Sequence, residues 1–174
     1  MILAAGGINS GIYKFLVVLH LIAAIVGFGG VLLNGVYAAQ ARKRPGPTGR
    51  AVTEANYAVS MLAEKFIYAV PILGLAAMGF SDSVWKFSQT WIWLSLVLYV
   101  LAIGISHSVM IPGHRRIIEL MKAMEEAPTG GRAPGPPPQV AELEATGKRL
   151  AGGAMVLNLM LVAIIAMMVW KPGV

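Results

Sequence analysis

The chain has 174 residues, 57% hydrophobic and 13% charged, with a formal net charge of +6 and no cysteine. Soluble domains carry about 25% charged residues, so this composition points to one membrane domain, with room for about four spans. Without cysteine there are no disulfides, thiolate metal sites or cysteine nucleophiles. The positive charge does not mark a nucleic-acid binder, because the basic residues flank apolar spans and no soluble domain is left to carry a binding face.

The first long apolar stretch runs from Ile12 to Ala39, and no formal charge falls between Lys14 and Arg42. It is long enough to cross a hydrocarbon core of about 30 Å as a helix. It does not read as a cleavable signal peptide: the apolar region is too long, the leader MILAAGGINSG has no basic side chain, and further spans follow. Hydropathy places four spans, at residues 12–39, 62–80, 90–111 and 151–170. The expected fold is all-α, a single four-helix transmembrane bundle over residues 1–174 with a cytoplasmic loop at 112–150.

Ten Lys and Arg residues lie in the first and third loops, against three (Lys14, Lys86, Lys171) on the other side. Cytoplasmic loops are the ones enriched in these residues, so both termini are expected outside the cytoplasm of a bacterial inner membrane. Trp85, Trp91, Trp93 and Trp170 read as interface anchors on that outer side.

Loop one, QARKRPGPTGR, stops the first helix near Arg44, and the next helix begins near Thr48. Pro71 falls inside the second span and predicts a kink between Ile67 and Pro71. Pro112-Gly113 is expected to end the third helix. The following HRRIIELMKAMEE reads as an interfacial amphipathic helix or a short cytoplasmic extension. The Pro/Gly stretch at 127–139 reads as a linker, and QVAELEATGKRL as a separate short helix before span four.

Several residues inside the spans carry chemical interest. Ala23, Gly27 and Val31 are spaced four apart on the first helix, as are Gly30, Asn34 and Ala38. Such faces let membrane helices approach closely, and Gly27 and Gly30 also offer a bed for a flat cofactor. Both readings stay open. His20 lies about 12 Å below the outer end of its span at 1.5 Å per residue. An ionisable residue at that depth is a functional candidate by default, and neutral imidazole is a common metal and haem ligand. His107 lies about 24 Å from the same boundary, which disfavours the two histidines as partners on one iron and leaves them as candidates for separate metal sites. Asn34, Glu64, His107 and Asn158 form a candidate polar path, in which Glu64 either points inward to His107 as a proton-relay element or belongs to an ordinary charge pair at the helix end. His114, beside Arg115 and Arg116, belongs at the headgroup surface. The chain has no His-x3-His doublet, phosphate loop or nucleophile elbow, which excludes soluble-style hydrolases and NTPases.

Three stretches carry a family resemblance: Tyr13-Lys14-Phe15, HLIAAIVGFGG from His20 to Gly30, and IPGHRR from Ile111 to Arg116. They resemble bacterial four-span predicted integral membrane proteins of actinobacterial type. More distantly, the lysine, histidine and glycine-containing turn of the first helix is similar to HemJ-type protoporphyrinogen oxidases and copper-resistance D membrane proteins. The HemJ-type resemblance implies haem binding with His20 as the first-helix ligand. The Trp and Arg that follow that histidine in HemJ-type proteins are absent, as is a copper-type Met/His cluster.

The leading expectation is therefore a haem- or metal-associated redox membrane protein, with haem b the candidate cofactor and His20, Gly27 and Gly30 the candidate binding residues. The sequence does not decide whether it is an enzyme. The alternatives are a non-catalytic accessory or assembly subunit, and a proton or small-solute permease. Expected partners are the lipid bilayer and a membrane-protein partner or a second copy of the chain, with no nucleic acid.

Overall fold

A computed structural model describes residues 7–44, 46–127 and 137–173. The regular elements among them are all helical: α1 (Gly11–Leu32), α2 (Asn34–Arg42), α3 (Pro47–Gly79), α4 (Thr90–Ile105), a π-turn (Ser106–Met110), α5 (Ile111–Glu126) and α6 (Pro138–Trp170). Among the described residues, four helical stretches are long and apolar enough to cross a membrane: Gly11–Arg42, Pro47–Gly79, Thr90–Glu126 and Pro138–Trp170. Helices are the natural answer for such sequences, because hydrocarbon offers no partner for an unpaired N–H or C=O. With 33 residues each, α3 and α6 run about 50 Å at 1.5 Å per residue. That exceeds the apolar layer, so each helix continues beyond it.

The chain divides into two compact units. The first comprises Met1–Leu32, Val59–Val100 and Met160–Val174, and the second Leu33–Ala58 and Leu101–Leu159.

In the first unit, α1 lies directly against α3. A β-carbon at Gly27 would stand 2.8 Å from Ile67 Cγ1 and 2.9 Å from its backbone nitrogen, and one at Gly30 would stand 2.7 Å from Ala63 Cβ. These glycines let two helices touch where no side chain fits between them, the usual basis of close packing in lipid. Large apolar side chains such as Ile25, Ile72 and Val169 are exposed, as a lipid-facing surface requires.

The second unit is tied by polar contacts at the helix extensions. Arg50 bridges Glu54 and Glu125 at 2.6 and 3.0 Å, and Arg115 donates to the Tyr57 hydroxyl at 2.6 Å. Arg116 makes a two-pronged contact with Glu142 at 2.7 and 3.0 Å. Those hydrogen bonds hold the Glu142 carboxyl below its ordinary range. An exposed pair such as Arg116–Glu142 adds little stability; what these contacts fix is position, joining the start of α3, α5 and the start of α6. The segment HRRIIELMKAMEE is thus a packed helical extension.

Two sequence expectations need correction here. The third helix does not end at Pro112-Gly113 but continues through the π-turn to Glu126. Pro112 sits in the first turn of α5, where a missing N–H is tolerated. The π-turn closes with the Ile111 N–H on the Ser106 carbonyl, taking up the extra residue. Gly113 is a packing position, since a β-carbon there would come within 2.6 Å of Leu150 Cδ2. Likewise, QVAELEATGKRL is not a separate helix: it forms the opening turns of α6. Most of the Pro/Gly linker, residues 128–136, lies outside the described residues.

Candidate functional site

The site is built around Pro71, which lies inside α3. Proline has no N–H, so the carbonyl four residues earlier, Ile67, loses its helical donor. The Tyr99 hydroxyl on α4 donates to that carbonyl at 3.3 Å. Three residues further along α3, His20 on α1 places Nδ1 2.8 Å from the Val70 carbonyl oxygen. A carbonyl only accepts, so Nδ1 carries the hydrogen, and in the neutral ring Nε2 is left with its lone pair. Gly74 makes room for the ring: a β-carbon there would lie 3.1 Å from His20 Cε1 and 3.2 Å from Nδ1. One stretch of α3 thus supplies the freed carbonyl, the anchor and the niche.

His20 and Tyr99 line a cavity of about 180 Å³, with further walls from α1, α3, α4 and the end of α6. Most of that wall is apolar, including Val17, Phe28, Leu96, Ile164 and Met168. The Ser95 hydroxyl is engaged by the Trp91 carbonyl at 2.6 Å. An aromatic group also lines it. Trp85 Nε1 donates to the Tyr13 hydroxyl at 2.9 Å, and Trp85 meets Trp91 edge to face with centroids 5.5 Å apart. The Lys171 ammonium stands 4.0 Å above the Trp85 ring, at cation–π distance. Trp91 Nε1 is buried and has no hydrogen-bond partner among the described residues.

The other sequence candidates fall elsewhere. Gly27 and Gly30 face α3 rather than the cavity, so the space read as a cofactor bed is filled at those positions by Ala63 and Ile67. Glu64 is 6% exposed and hydrogen-bonded to Tyr68, within the first unit. Asn34, His107 and Asn158 belong to the second unit. His107 is exposed and directs Nδ1 to its own helix at the Ile103 carbonyl, 3.0 Å away. His114 does the same with the Met110 carbonyl at 2.8 Å. None of Asn34, Glu64, His107 and Asn158 lines this cavity. Among the described residues, no group of three or more His, Asp or Glu side chains is placed to hold a metal ion.

Sequence reading missed the roles of Tyr99, Gly74 and Lys171. Pro71 was the available signal for Tyr99, since a proline in a span announces an orphan carbonyl. Nothing in the sequence identifies which helix answers it.

A family model described as a predicted integral membrane protein matches residues 14–172. No curated protein and no solved structure matches the chain.

The pairing of Tyr99 with the carbonyl freed by Pro71 predicts non-additive stability. Tyr99→Phe should cost about 0.5–1 kcal/mol, the usual scale for interhelical hydrogen bonds in lipid. In a Pro71→Ala background the helix regains its own N–H donor, and the same change should cost clearly less. Unfolding in mixed micelles by increasing SDS measures both; equal costs would show that the hydroxyl does not serve that carbonyl.

Proposed function

The chain belongs to the DUF2269 family of predicted integral membrane proteins, and we propose that within the membrane it binds a redox-active group through His20 Nε2. The observation that carries this reading is the Nδ1–H hydrogen bond to the Val70 carbonyl at 2.8 Å. Iron and zinc ligands of this type characteristically donate their other ring N–H to a carbonyl or carboxylate, which fixes the tautomer and aims the lone pair. His20 has that anchor, an apolar cavity wall, and no second partner for Nε2 among the described residues.

Haem b suits the donor set better than a bare metal ion. A haem iron needs as little as one protein ligand, whereas an isolated ion needs several converging side chains. When bound, haem supplies one-electron chemistry. The chain's own part is to fix the imidazole through Nδ1, leave Nε2 for the group and exclude water. The buried Trp91 N–H offers a donor to an oxygen of the bound group.

Cavity volume favours a second occupant. Pockets for drug-sized ligands run about 300–1,000 Å³, so about 180 Å³ covers only part of a macrocycle. A single ring, such as a quinol headgroup, matches the space more closely, with its hydroxyl donating to His20 Nε2. The location we propose is a bacterial inner membrane with both termini outside the cytoplasm, supported by the Lys and Arg bias.

Optical spectra of detergent-purified protein, oxidised and dithionite-reduced, should show a Soret band that His20→Ala abolishes and Gly74→Val weakens by crowding the ring. A colourless protein from haem-replete cells would eliminate haem, and an organic extract of it should then contain quinone in wild type but not in His20→Ala. Colourless protein with a quinone-free extract would remove both readings. Orientation has its own test in a chain free of cysteine. An impermeant maleimide on intact cells should label Ser88→Cys and spare Thr48→Cys, and the reverse pattern would invert the topology.

A further inference from the structure

We infer that α6 carries a docking face for a second copy of this chain, with Asn158 at its centre. This inference stands apart from His20 and its cavity. Asn158 lies 12 residues before Trp170, the end of α6, which is about 18 Å along the helix axis and well inside an apolar layer of about 30 Å. Its side chain is exposed on the helix surface and makes no hydrogen bond to any described residue of its own chain. Around it the surface is that of a lipid-facing helix: Met155 is 66% exposed, Leu159 61% and Val162 64%. Ala151 and Gly152, also exposed, keep one end of the face low. A β-carbon at Gly152 would meet nothing within 4 Å, leaving room for another backbone.

Apolar side chains on this face need no partner, since acyl chains serve them equally well. The carboxamide does need one, because a lipid tail neither donates nor accepts. A second copy meets the need in a way few other partners do. Asn has both an acceptor oxygen and an NH₂ donor. A two-fold axis normal to the membrane brings the same residue to the same depth on the facing helix. Each amide then donates to, and accepts from, its counterpart. Small residues at Ala151 and Gly152 allow the two helices to close on that contact.

The absence of cysteine permits a direct test in membrane vesicles. Met155→Cys, three residues from Asn158 on the same face, should oxidise to a disulfide-linked dimer. Val100→Cys, equally exposed on α4, should stay monomeric and reports random collision. Adding Asn158→Leu should abolish the Met155→Cys cross-link, and Asn158→Gln should retain it. In single-molecule photobleaching, Asn158→Leu should weaken dimerisation about tenfold or more. If Asn158→Leu folds poorly by circular dichroism, Ala151→Trp, which blocks the same face sterically, should give the same loss of dimer. A monomeric wild type, a dimer indifferent to Asn158→Leu or, where that variant misfolds, to Ala151→Trp, or a cross-link to a different protein would each overturn the inference.

Discussion

Lipid supplies no hydrogen bonds, and in the first unit this constraint is concentrated at Pro71. A proline within an apolar span leaves the Ile67 carbonyl without its helical donor, and that carbonyl receives the Tyr99 hydroxyl at 3.3 Å. On the same stretch of α3, the Val70 carbonyl takes the His20 N–H at 2.8 Å. Both donors come from other helices. One stretch of α3 therefore anchors both neighbours: the carbonyl freed by Pro71 takes α4, and the Val70 carbonyl takes α1 and fixes the orientation of His20.

Glycine makes the arrangement sterically feasible. Gly27 and Gly30 bring α1 close to α3, and Gly74 leaves the imidazole a niche beside its anchor. The small residues of the first helix thus serve the site indirectly: they set the distance at which His20 can reach across, while the cavity itself is walled by larger apolar and aromatic side chains. The chemistry follows from the tautomer. With Nδ1 committed to a carbonyl, the remaining function of the neutral ring is that of a lone-pair donor in an apolar space.

The four long apolar helices, the start of α3 near Thr48, the place of Pro71 inside α3 and that of His20 inside α1 were legible from hydropathy and turn residues. The rest depended on pairings between distant segments. Pro112-Gly113 has the composition of a helix end, yet a π-turn and the fit of Gly113 against Leu150 carry the helix through it. Gly27 and Gly30 have the spacing of a bed or of a contact, and only the opposing Ala63 and Ile67 decide which. Depth along a helix is readable from residue counting, but direction is not. Glu64 and Asn158 both read as intramembrane polar residues, and the first is buried beside Tyr68 while the second faces outward.

The account turns on the state of one imidazole, and nitrogen-15 NMR of the protein in lipid bilayers observes it directly. Removing His107 and His114 by substitution with Gln leaves a single histidine spectrum. The account predicts a ring protonated at Nδ1, hydrogen-bonded through it, with an unprotonated Nε2 whose shift changes between protein as isolated and protein stripped of bound small molecules. A ring protonated at Nε2 and bare at Nδ1 would contradict it, because the Val70 carbonyl would then lack its donor and the free lone pair would be on the wrong nitrogen.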